Sequence, residues 1–86
     1  MIDRHVEAFL EMMAAEKGAA RNTLAAYHAD LEDIAGFLHA RAADLITADT
    51  LAFRAYLAAL ADQGLSERTQ ARRLASLRGF TTFLLR

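Results

Sequence analysis

A chain of 86 residues has room for one hydrophobic core, because a second would need roughly another 50 residues or more. Hydrophobic residues make up 55% of it and charged residues 24%, with neither proline nor cysteine, which excludes a disordered chain, a disulfide framework and a thiolate metal site. The formal net charge of −1 gives no overall attraction to a polyanion, so any nucleic-acid partner has to be sought in how the charge is distributed.

The first segment, about Asp3 to Lys17, carries Ile2, Val6, Phe9, Leu10 and Met13 at spacings of three and four, and Gly18 follows where a left-handed stop is wanted. Asn22, a strong capping residue, then opens a second helix whose apolar stripe is Leu24, Tyr27, Leu31, Ile34 and Leu38, running to about Ala42. A third begins after Thr47, with Asp49 at its positive end, and is expected to bury Leu51, Phe53, Leu57 and Leu60 before Gly64 ends it. Ser66 caps the fourth, whose core face reads Leu74, Leu77, Phe80, Leu84 and Leu85. No segment alternates with the period of two that a half-buried strand needs, so the fold class is all-α, a compact bundle of four helices. The helical pattern is unbroken at Arg86, which leads us to expect a longer protein. No apolar run approaches a membrane span, and Met1-Ile2-Asp3-Arg4 lacks the layout of a signal peptide, so a cytoplasmic location is expected.

Catalytic and metal chemistry find little support. His5, His28 and His39 lack the spacing that zinc requires, and neither Ser66 nor Ser76 sits on a strand-to-helix elbow. Four scattered glycines make no phosphate-cradling loop, and no cofactor or small-molecule substrate is implied. Asp30, Glu32 and Asp33 read as a solvated acidic face rather than a general-acid pair.

Charge is uneven along the chain. Residues 1–43 hold four Lys or Arg against seven Asp or Glu, whereas residues 44–86 hold six against four. Between Ser66 and Arg86 stand five arginines (68, 72, 73, 78 and 86) and one acid, Glu67. On a wheel counted at about 100° per residue from Arg68, Arg72 falls at ~40°, Ser76 at ~80°, Thr69 at ~100° and Arg73 at ~140°, with the leucine face centred at ~200°. A basic strip flanked by hydroxyls suits a helix in a DNA major groove, where guanidinium forks reach guanine edges or phosphates. Periodicity alone does not separate this from a solubilising arginine face.

Two stretches carry a resemblance. Asn22-Thr23-Leu24-Ala25-Ala26-Tyr27-His28-Ala29-Asp30-Leu31 is similar to the "NTL..Y..DL" string of phage-integrase-family tyrosine recombinases. Leu65-Ser66, Thr69, Ala71-Arg72-Arg73-Leu74-Ala75-Ser76-Leu77-Arg78 and Phe80 through Arg86 resemble that family's "LS..T..RRLS.LR.F..FL.R". The likeness runs over the whole chain and points to the Xer-type branch. It implies an amino-terminal, SAM-like core-binding domain, with residues 1–86 as that single domain and the catalytic domain lying outside them. Such a domain forms one jaw of a clamp on double-stranded DNA and works beside partner recombinase subunits in a synaptic complex. The implied function is site-specific recombination of the chromosome-dimer-resolution kind, or integration of a mobile element. A helical protein-interaction domain with an incidental arginine face is the reading from another class.

By position, the resemblance implies DNA contacts from Asn22, Thr23 and Ala26 on the second helix and from Arg68, Thr69, Arg72, Arg73 and Ser76 on the fourth. Ala25 and Ala26 leave the second helix nearly bare of donors. Its contribution is therefore expected at its positive end, where Asn22 and Thr23, aided by Lys17 and Arg21, would meet a phosphate. Tyr27, in the leucine stripe, is expected to pack in the core and is not the family's nucleophile. Arg72 is expected to point deepest into the groove, and Arg78, at ~280° on the same wheel, away from it.

Overall fold

The four helical patterns become α1 (Arg4–Glu16), α2 (Arg21–Ala40), α3 (Thr50–Asp62) and α4 (Glu67–Leu84), in a computed structural model that describes residues 4–86. The expected start of the first helix at Asp3 and the expected core role of Ile2 lie outside the described residues. Among these no strand occurs, and no helix is long and apolar enough to cross a membrane.

Each helix end has a local cause. Gly18, with φ of 61°, takes the left-handed conformation after α1, and the Ala19 N–H turns back to the Met13 carbonyl at 3.1 Å. Asp49 caps α3 by accepting from the Ala52 N–H at 3.0 Å, and Ser66 Oγ caps α4 by accepting from the Thr69 N–H at 3.2 Å. The expected cap at Asn22 is not formed. The chain turns helical one residue earlier, at Arg21, so Ala20 is the capping residue, without any side-chain bond, and Asn22 lies inside the first turn. The end of α2 is unexpected too: Ala42 adopts φ of 59°, and the Ala43 N–H returns to the Leu38 carbonyl at 2.9 Å, the same stop that Gly18 makes without a Cβ. In the connection that follows, Asp44 Oδ1 accepts from the Ile46 and Thr47 N–H groups, both at 2.8 Å, which holds its carboxyl below the usual range.

α2 and α4 each touch all three other helices, whereas α1 and α3 do not touch one another. The core is built on that central pair: Leu31, Ile34 and Leu38 of α2 and Phe80 of α4 are completely buried, joined by Val6, Phe9, Leu60 and Leu77. Phe9 is the pivot of α1, with ring centroids 6.5 Å from Tyr27, 5.8 Å from Phe80 and 5.7 Å from Phe83. Tyr27 thus packs against the core as its place in the stripe implies.

Two apolar expectations need correcting. Leu51 is 73% exposed and Leu85 88% exposed. Tyr56 and Leu45 take buried places instead, the latter from the α2–α3 connection. Leu51 falls in the first turn of α3, and Leu85 follows the last turn of α4.

Cavity formation should make Leu31→Ala and Leu77→Ala each destabilise the domain by about 2–5 kcal/mol, as read from urea unfolding. A glycine pair checks packing more finely. A Cβ at Gly36 meets nothing, so Gly36→Ala should raise stability by roughly 0.5–1 kcal/mol through helix propensity. A Cβ at Gly79 would stand 3.1 Å from Phe9 Cζ, and that ring is hemmed in by three others. Gly79→Ala should therefore lower the melting temperature although the propensity gain is the same.

Candidate nucleic-acid interface

The polar strip of α4 does not simply face solvent. Where α4 crosses α2, Asp30 is 1% exposed, and its carboxylate is gripped by Arg72, with Nη2 at 2.7 Å from Oδ1 and Nε at 3.0 Å from Oδ2. The Ser76 hydroxyl, fully buried, donates to Oδ2 at 2.8 Å. Burying a carboxylate is tolerable only when its lone pairs are filled and a cation stands beside it, and these two side chains, one helical turn apart, do both. The Arg73 Nε lies 3.7 Å from Oδ1, near enough for charge but without a hydrogen bond.

A second cluster adjoins the first. Arg73 Nη1 donates to Asp33 Oδ2 at 2.7 Å and to the Tyr56 hydroxyl at 3.2 Å, while that hydroxyl donates to the same Asp33 oxygen at 2.9 Å. Asp33 and Asp30 share one side of α2, so this seam fastens both α4 and α3 to it. Burial, with smaller opposing effects from Arg73 and Asp33, pushes the Tyr56 phenol up to about 12.

These contacts correct the sequence reading in several places. Asp30 is no part of a solvated acidic face; Glu32 and Asp33 are exposed, but Asp30 is interior. Ser76 has no surface with which to meet a phosphate. Arg73 is largely covered, with 19% of its side chain exposed, and is engaged by Asp33. Arg72, expected to reach furthest outward, is folded back onto Asp30, though 44% of its side chain stays exposed. The wheel erred because α4 has three neighbours rather than one. Ser76, Phe80 and Leu77 define a buried direction near ~130°, whereas Leu74 and Leu85 had drawn the reckoned face to ~200°. A signal for Asp30 was present: it stands three residues after Tyr27 and four before Ile34, on the edge of the apolar stripe.

The other candidates lie at or near the surface. Lys17, in the α1–α2 connection, and Arg21, Asn22 and Thr23, in the uncapped first turn of α2, are exposed; Ala26, one turn before Asp30, is half-buried. Arg68 is exposed, and Thr69 is half-buried, accepting a bond from the Ser66 hydroxyl at 3.0 Å. Arg78, with Lys17, lines a groove between α1 and α4. Arg86 forks onto Glu16 at 2.9 and 3.2 Å. Of the five arginines after Ser66, then, three answer an acid elsewhere in the domain, and the excess positive charge of that segment is largely internal.

The family described as "Phage integrase, N-terminal SAM-like domain" matches residues 6–86, and the chain belongs to that family. Among individual proteins it is similar to tyrosine recombinase XerD of Rhizobium meliloti (strain 1021), at 54% identity over 93% of this chain and 26% of that protein. XerD of Agrobacterium fabrum is 52% identical over 92% of the chain and 24% of its own length, and that of Caulobacter vibrioides 52% over 92% and 26%. The chain thus spans about a quarter of the length of these relatives. No solved structure matches it.

The linked clusters make alkaline stability a test of the geometry. A phenol raised from 10.0 to about 12 favours its neutral form in the fold, so its stabilising effect is complete below pH 10 and fades as pH climbs toward 12. Ultraviolet titration should show a tyrosine ionising late in the folded domain and at its ordinary value in urea. Tyr56→Phe should remove the late step and flatten the alkaline loss of stability.

Proposed function

We propose that this chain is the DNA-binding module of a site-specific tyrosine recombinase, gripping the inner part of a recombination site through the major groove. The observation that carries the reading is the match to the recombinase domain, over nearly the whole chain, together with two adjoining rows of candidate residues on α2 and α4. Asn22, Ala26 and Asp30 follow one another at a helical turn on α2, as Arg68, Arg72 and Ser76 do on α4, and the rows meet at the Asp30–Arg72 pair.

On this reading the open N–H groups of the first turn of α2, with Arg21 and Lys17 beside them, receive a phosphate. Arg68, exposed and without an ion-pair partner among the described residues, meets another. Arg72 offers the part of its guanidinium that Asp30 does not hold. Ser76 and Arg73 act from behind, as supports. The partners are double-stranded DNA and, in the whole protein, further recombinase subunits; phosphoryl transfer belongs to chain beyond this domain, so this fragment should not cleave DNA. Resolution of chromosome dimers, the role that the sequence resemblance implies, is proposed ahead of integration of a mobile element.

The internal pairing of Arg72, Arg73 and Arg86 favours one rival, a protein-interaction domain whose arginines serve the fold. Salt separates the two. DNA binding should be weak, about 10⁻⁴–10⁻⁶ M at physiological salt, and should fall steeply as salt rises. Arg68→Ala should weaken binding to all duplexes alike and reduce the salt slope by roughly one unit, while Arg78→Ala, on the α1–α4 groove, should change little. Fluorescence anisotropy at several salt concentrations measures both, and equal losses from the two substitutions would mean a diffuse positive cloud rather than a docking face.

A further inference from the structure

The Asp30 carboxylate uses two of the five N–H bonds of Arg72, one on Nε and one on Nη2. Three remain, one on Nη2 and two on Nη1, and the Nη1–Nη2 edge carries a parallel pair of them. No acceptor among the described residues takes them, and the side chain is 44% exposed against 1% for Asp30. The carboxylate that fixes the plane is itself anchored, because Ser76 fills Oδ2 from the interior at 2.8 Å. A guanidinium anchored on one edge and open on the other is set for a planar, two-acceptor partner, such as the O6 and N7 atoms of guanine in the major groove.

We propose that Asp30 is a positioning residue that aims Arg72 at a base edge and so confers sequence preference on the domain, with Ser76 as the second anchor. The inference rests on the DNA-binding reading above. Charge supports it: Asp30 and Asp33 cancel Arg72 and Arg73, so the cluster adds no net attraction to a polyanion and its contribution is direction. Ala26, one turn before Asp30 on α2, carries only a methyl group and offers no competing acceptor. Recognition then depends on a residue that never touches DNA, since a guanidinium held in place loses less freedom on binding than a free one.

The test uses a duplex that the wild-type chain enriches from a randomised pool, and the same duplex with its sequence shuffled. Affinities for both are measured at several salt concentrations, below the melting temperature of each variant. Asp30→Asn makes the domain one charge more positive, so it should bind the shuffled duplex at least as well as wild type, yet lose about fivefold or more of its preference for the enriched one. Arg72→Lys keeps the charge and should lose the same preference with its salt slope unchanged. Ser76→Ala, the mildest change, should move the same way by less, which preserves a measurement if Asp30→Asn folds poorly. Three results overturn the proposal: no sequence is enriched; Asp30→Asn strengthens both affinities in parallel, so that Asp30 merely masks Arg72; or all variants weaken both affinities in proportion. If the wild-type chain binds no duplex in a salt-dependent way, the DNA-binding reading itself falls, an outcome distinct from these.

Discussion

A carboxylate with almost no access to water fixes the register of this bundle. Asp30 must find a cation and hydrogen-bond donors within reach, and α4 supplies both, Arg72 and Ser76, only when set against α2 at one rotation and one height. Apolar side chains tolerate small slides, because their attraction is non-directional. A two-point fork does not. Once the α2–α4 crossing is set, Asp33 lies in reach of Arg73, and Tyr56 closes that second cluster from α3. The opposite side is settled by shape instead, where Phe9 of α1 packs among Tyr27, Phe80 and Phe83 and fits closely because position 79 has no Cβ.

Much of the architecture was legible in the sequence because it is written in local chemistry. The four apolar periodicities, the cap at Ser66, the acid at the positive end of the third helix and the left-handed stop at Gly18 depend on a few adjacent residues, and they recur in the structure. Reading failed where tertiary context decides. Asn22 has the right chemistry for a cap, but the chain turns helical one residue sooner. Ala42 has the wrong chemistry for its left-handed backbone and adopts it nonetheless. Leu51 and Leu85 lie at the ends of their stripes and stay exposed.

The candidate site was half legible. Exposed cations such as Arg21 and Arg68 could be found by pattern, since a polar residue away from the core face needs no partner. The roles of Arg72, Arg73 and Ser76 could not, because the wheel knows only one helix, and the residues that redirect them are some 40 or more positions away in sequence. Asp30, which Arg72 and Ser76 answer, reads as solvated for the same reason, whereas Asp33 is exposed as expected. The paired spacing of Arg72 and Ser76 opposite an acid on the margin of an apolar stripe is the pattern that would have shown it.

That α1 and α3 meet only through the central pair bears on how the molecule opens. Since neither outer helix contacts the other, two separate partial openings besides complete unfolding are expected. Backbone amides of α2 and α4 should accordingly exchange their hydrogens with solvent more slowly than those of α1 and α3. Substitutions on the two outer helices should combine additively, as between parts that share no partner except a rigid one.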